Sequence, residues 1–145
     1  MFKHVLVPTD GSEFSQSTVR RAVSFAKEAG ARITAYYAKP EFPVTYYGEG
    51  VLIDTTTPEQ FAVLAEEQAQ KILSYVESLC QEAGVSFTKL TSTTDIPYEG
   101  IIEAAETNGC DLIFMSSHGR RGLSGLILGS ETNKVLTHSK IPVLV

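Results

Sequence analysis

The residues best suited to chemistry lie between Ser116 and Ser130, in the run Ser-Ser-His-Gly-Arg-Arg-Gly-Leu-Ser-Gly-Leu-Ile-Leu-Gly-Ser. Gly119 lets the backbone pass close to a ligand. Gly129-Ser130 reads as the opening of a helix, where unpaired N–H groups and the positive end of the dipole attract an anion. The Ser130 hydroxyl adds a donor, and Thr132 falls in the same first turn. Arg120 and Arg121 bring two positive charges to a chain of net charge −5. Together these residues have the chemistry of a phosphate cradle. The competing reading of Gly129-Ser130 is a turn followed by an ordinary helix cap. No Gly-Lys-Ser/Thr sequence occurs, and no G-x-G-x-x-G follows the first apolar run. Neither a P-loop NTPase nor a standard dinucleotide enzyme is therefore indicated. Ser117 and His118 could suggest a nucleophile and its base. Adjacent loop side chains rarely point at each other, however, and no third orienting acid is evident. No catalytic residue is assigned. His4 and His138 are isolated and read as structural or exposed, and no group has metal-ligand spacing.

Such a loop needs a scaffold, and the chain alternates strand and helix patterns. His4 to Val7 is a short continuous apolar run, as in a strand buried on both faces. Thr9 to Ser12 is a turn. Ser15 to Ala29 repeats Val19, Ala22, Val23 and Ala26 at helical spacing, with Gly30 as a stop. Arg32 to Ala38 is β-branched and aromatic, a second strand. The connection from Lys39 to Thr57 is long enough to be functional or mobile. Thr57-Pro58-Glu59-Gln60 carries a capping box and a first-turn proline. The helix it opens runs to about Ala83, with Phe61, Leu64, Ala65, Ile72, Val76, Leu79, Cys80 and Ala83 in one apolar stripe. Val85 to Thr91 reads as a third strand, Asp95-Ile96-Pro97 as a turn, and Tyr98 to Thr107 as a short helix with Ile101, Ile102 and Ala105 inward. Leu112 to Met115 is a fourth strand. A long loop follows, with a helical turn suggested at Gly122-Leu123-Ser124. Ser130 to His138 is the last helix, with Val135 and Leu136 facing in, and Ile141 to Val145 the last strand.

This order predicts one α/β domain over residues 1–145: a doubly wound, three-layer sandwich with a five-stranded parallel sheet and four helices on its two faces. In such sheets ligands bind beyond the carboxyl ends of the strands. That singles out Pro8 to Ser12, Tyr37 to Pro40, and Ser116 to Ser130. The acidic net charge argues against nucleic-acid and anionic-membrane partners. Cys80 and Cys110 read as buried thiols in a reducing compartment. The N-terminal run is too short for a signal peptide, its start at Met1 suggests an untrimmed chain, and no stretch approaches a membrane span. A cytoplasmic protein is expected.

Three segments together resemble the universal stress protein family across the whole chain. They are Val7-Pro8-Thr9-Asp10-Gly11-Ser12, Ser117-His118-Gly119-Arg120, and Gly129-Ser130 followed by Ile141-Pro142-Val143-Leu144-Val145. The family's nucleotide-binding pattern is Gly, two residues, Gly, nine residues, Gly, then Ser or Thr. Gly119, Gly129 and Ser130 match its later part, and Ser116 stands where the family has its first glycine. The resemblance implies strand order 3-2-1-4-5 and a non-enzymatic regulatory protein, with at most weak ATP hydrolysis. It implies a site for ATP or AMP built from Pro8, Thr9, Asp10, Tyr37, Ala38, Met115, Ser116, His118, Gly119, Arg120, Gly129, Ser130, Glu131 and Thr132. Asp10 would sit near the nucleoside, or act only as a turn residue capping the next helix. Tyr37 and Ala38 would lie beside the adenine, or serve as plain strand core. A bound triphosphate could carry Mg²⁺. Pairing of Ile141 to Val145 with its twin would give a homodimer, with further protein partners unidentified. The alternative is a dimeric interaction module of the same fold that binds no nucleotide.

Overall fold

The computed structural model describes residues 1–43, 56–118 and 128–145. Five strands, β1 (His4–Pro8), β2 (Arg32–Lys39), β3 (Phe87–Thr93), β4 (Leu112–Phe114) and β5 (Val143–Leu144), alternate with four helices. The helices are α1 (Glu13–Ala29), α2 (Pro58–Ala83), α3 (Pro97–Thr107) and α4 (Ser130–His138). All strand pairs are parallel, in the order β3-β2-β1-β4-β5. Strand, helix and sheet order thus follow the expected doubly wound plan.

Two-residue alternation sorts the core into two layers. Val5, Val7, Ile33, Ala35, Leu112 and Phe114 face α1 and α2, where Val19, Ala22, Val23, Leu73 and Val76 meet them. Leu6, Tyr36, Ile113 and Met115 face the other way, onto Ile101, Ala104 and Ala105 of α3 and Val135 of α4. Strands buried on both faces have no polar side to spare, which is why they read as continuous apolar runs.

Helix boundaries follow their caps. Ser12 caps α1, its Oγ accepting from Ser15 N at 3.2 Å, so α1 starts at Glu13, ahead of the Ser15 expected. Thr57 and Gln60 form the expected capping box on α2. β3 begins at Phe87 rather than Val85. Gly84 stops α2 in the left-handed conformation, and Val85 N still bonds back to Cys80 O at 2.9 Å, so Val85 belongs to the helix exit.

Two apolar positions depart from the expected stripes. Leu64 is 58% exposed, and Leu136, expected to face in, is 42% exposed. α2 has 26 residues against five in the central strand. At about 1.5 Å per helical residue its first turns overrun the sheet, and burial begins at Ala69. On α4 the inward direction is taken by Thr132 and Val135. Leu136 lies one residue, about 100°, further around. The suggested turn at Gly122-Leu123-Ser124 and most of the Lys39 to Thr57 connection lie outside the described residues.

Candidate functional site

β1 is central, and the chain leaves it first toward β2 and returns to its other side at β4. A crevice opens at the carboxyl ends of strands at such a reversal. Here a cavity of about 570 Å³ occupies it, walled by the exits of β1, β2, β3 and β4 and by the start of α4. That volume falls within the range of small-molecule sites, about 300–1,000 Å³.

The β1 exit supplies Pro8, Thr9 and Asp10. Thr9 N donates to Tyr36 O at 2.9 Å, which carries the sheet one bond past the strand. The buried Ser15 hydroxyl donates to Thr9 Oγ1 at 2.9 Å and accepts from Asp10 N at 3.2 Å. Asp10 Oδ1 accepts from Ser12 N at 2.9 Å. Asp10 therefore braces the turn. The capping role considered for it belongs to Ser12.

The β4 exit supplies Met115, Ser116 and His118. Ser116 Oγ donates to His118 O at 2.6 Å and also accepts from His118 N at 3.3 Å. The hydroxyl at the family's first glycine position is thus folded onto its own loop. Ser117 Oγ and His118 Nδ1 lie 3.0 Å apart, so these neighbours do meet, against the expectation that they would point apart. A bend at Ser117 brings them together, and the His118 ring rests beside Phe14 of α1, with centroids 5.9 Å apart.

Gly129, Ser130, Glu131 and Thr132 form the third wall. Gly129 is the N-cap of α4, and among the described residues no side chain caps that helix start. Gly129 N donates to Ser117 O at 2.7 Å, and Thr132 Oγ1 to Ser116 O at 2.7 Å, which fixes the helix start against the β4 exit. Glu131 is committed elsewhere. Its Oε2 accepts from Tyr98 N at 2.9 Å and caps α3, whose own N-cap residue, Ile96, makes no side-chain cap bond.

The fourth wall joins Tyr37 and Ala38 with Pro40 and a part the sequence reading missed: Ser15, Tyr36, Thr94, Asp95, Pro97 and Ile101. Thr94 N donates to Lys39 O at 2.8 Å, and Asp95 Oδ1 accepts from Glu41 N at 3.0 Å, tying the exits of β2 and β3. Tyr36 is buried, its hydroxyl bonded to that of Ser92, and burial raises its pKa. The rule of strand carboxyl ends covers Thr94 to Pro97 as well. Placing the third strand two residues early left that exit reading as a plain turn.

Twelve of the fourteen residues expected at the site line this one cavity: Pro8, Thr9, Asp10, Tyr37, Ala38, Met115, Ser116, His118, Gly129, Ser130, Glu131 and Thr132. Gly119 and Arg120 lie outside the described residues. Among the described lining residues Asp10, Asp95 and Glu131 are acidic, and none is Lys or Arg. Cys80 and Cys110 are buried free thiols away from this wall, with pKa values pushed up to about 11 by burial. No helix of the described residues is long and apolar enough to cross a membrane.

Residues 1–145 match the model of the universal stress protein family. Universal stress protein MJ0531 of Methanocaldococcus jannaschii is 33% identical, over all of this chain and 82% of its own length. A universal stress protein solved in complex with cAMP superposes with a TM-score of 0.69 at 24% identity, covering 99% of this chain and 95% of that one. One from Archaeoglobus fulgidus, solved in complex with dAMP, gives a TM-score of 0.67 at 17% identity, covering 99% and 96%.

Proposed function

This chain belongs to the universal stress protein family, and from that premise we propose that it is a cytoplasmic regulatory protein of one domain that binds an adenine nucleotide, ATP or AMP, in the cavity at the sheet's reversal. The observation that carries the reading is the pairing of two unlike walls in one cavity. One is the α4 helix start, where no side chain among the described residues caps the first turn and backbone N–H groups are offered to an anion. The other is formed by Tyr36, Tyr37, Ala38, Pro40, Pro97 and Ile101, mostly apolar surface that suits a purine ring. A phosphate belongs at the first wall and the base at the second. The complexes with cAMP and dAMP are of proteins with this fold and support the same ligand class.

Ser116 in place of the family's glycine is compatible with this reading, because its hydroxyl is turned toward His118. Arg120 would supply positive charge to a triphosphate, with Mg²⁺ as its counterion. We assign no catalytic residue. A homodimer through Ile141 to Val145 is part of the proposal. Among the described residues β5 is a sheet edge paired only with β4, and Leu144 and Val145 are 41% and 48% exposed.

Calorimetric titration with ATP·Mg²⁺, AMP and adenosine tests the reading, alongside Ser130→Pro. Proline is tolerated at a first helical position and removes one N–H from the cradle. Phosphorylated ligands should bind wild type and weaken by about tenfold in the variant, with adenosine unchanged. Absence of heat and of thermal stabilisation at millimolar nucleotide would favour the interaction module that binds no nucleotide.

A further inference from the structure

Among the cavity residues that family resemblance did not single out, Asp95 carries a charge, and its surroundings give it one free oxygen. It stands at the exit of β3, immediately before Ile96, the N-cap residue of α3. Oδ1 accepts from Glu41 N at 3.0 Å. That bond limits rotation of the carboxylate, and no further hydrogen bond or ion pair engages Asp95 among the described residues. The second oxygen therefore remains an acceptor without a partner on the cavity wall. Its neighbours there, Pro40 and Pro97, offer no N–H.

We propose that Asp95 selects the nucleobase, accepting a hydrogen bond from an exocyclic amino group on the base edge. This inference rests on the proposed nucleotide site, in which the base takes the wall shared by the β2 and β3 exits. There a carboxylate oxygen is acceptor only. It rewards a base edge bearing an amino donor and gives nothing to one that lacks it. Asp95 is exposed, so water takes the place of a missing donor, and the discrimination expected is that of a single charge-assisted hydrogen bond rather than of a buried unpaired charge.

The test compares AMP with purine riboside 5′-monophosphate, which has the same ring, sugar and phosphate but no amino group. Both are titrated into wild type and Asp95→Asn. The asparagine side chain is near-isosteric with aspartate, and its carbonyl can keep the bond from Glu41 N, so the variant tests the charge rather than the loop. A melting scan confirms that it folds. Wild type should bind AMP about tenfold more tightly than the analogue, as expected for one charge-assisted hydrogen bond at a partly open site. The preference should fall to about twofold or less in the variant, with affinity for the analogue unchanged. Equal binding of both ligands by wild type, or a preference that survives in Asp95→Asn, overturns the role of Asp95 and leaves the nucleotide site standing. If neither ligand binds wild type, the nucleotide reading falls and this inference falls with it.

Discussion

Replacing Gly100 by alanine tests how tightly the cavity's floor is packed. Gly100 is buried in the first turns of α3. A Cβ there would overlap the Tyr36 hydroxyl and approach Thr94 Cγ2 to 3.0 Å and Tyr36 Cζ to 3.3 Å. Tyr36 is 1% exposed and its hydroxyl is bonded to Ser92, so the ring has no room to retreat. Overpacking of this kind costs about 1–3 kcal/mol, and the helix preference of alanine over glycine returns at most about 1 kcal/mol. The net expectation is a loss of about 1–2 kcal/mol, or about 3–7 °C in Tm at this chain length. Tyr36→Phe removes the overlapping atom and alone costs about 1 kcal/mol through the lost bond to Ser92. If the overlap is the cause, Gly100→Ala in the Tyr36→Phe background should cost almost nothing more, a coupling of about 1 kcal/mol or greater. Urea unfolding of the four proteins measures it. Strict additivity, or a Gly100→Ala variant as stable as wild type, would refute the packing argument.

Two further outcomes follow from individual contacts. His4 is buried, with Nε2 bonded to Thr34 Oγ1 at 2.6 Å and no partner on Nδ1 among the described residues. Burial first, then the charge of Arg32, lowers its pKa, while Asp111 opposes them. The folded state thus holds His4 neutral where the unfolded chain takes up a proton near pH 6.5. Its contribution is complete above about pH 6.5 and is lost as pH falls through that value toward the folded pKa. His4→Gln should flatten this acid-side slope in urea titrations run from neutral to mildly acidic pH. Glu131→Ala should lower stability by about 1 kcal/mol through the uncapped Tyr98 N–H, with Glu131→Gln losing about half as much, read from thermal melts.

The fold was legible because its signals are local and redundant. Continuous apolar runs such as Leu112 to Phe114, glycine stops at Gly30 and Gly84, and the Thr57 capping box each act within a few residues. Strand alternation across two faces then leaves little choice of layer. The errors fall where a neighbour distant in sequence decides. Leu64 belongs to an apolar stripe, yet its exposure depends on where the sheet ends beneath α2. Glu131 lines the cavity as expected, but its second role was not legible: Ile96 cannot cap α3, and Glu131 does so from another helix. Asp95 reads in sequence as a turn residue alone, because the β3 exit falls two residues later than the pattern suggests and its partner, Glu41, is 54 positions away.

Ser116 shows how far a motif mismatch should be read. A glycine at a given position answers one of two needs, a left-handed backbone or room for a close approach. The first need is absent here, since no non-glycine described residue has positive φ. The second depends on where the added atoms go. Ser116 Oγ bonds both the N–H and the carbonyl of His118, and Ser116 O holds Thr132 of α4. The side chain therefore strengthens the turn that joins the β4 exit to the helix start. What glycine supplies as freedom, serine supplies here as a brace, and the wall at the α4 terminus stays in place for the phosphate proposed there. On that argument the departure from the family's pattern changes how the loop is held rather than what it can hold.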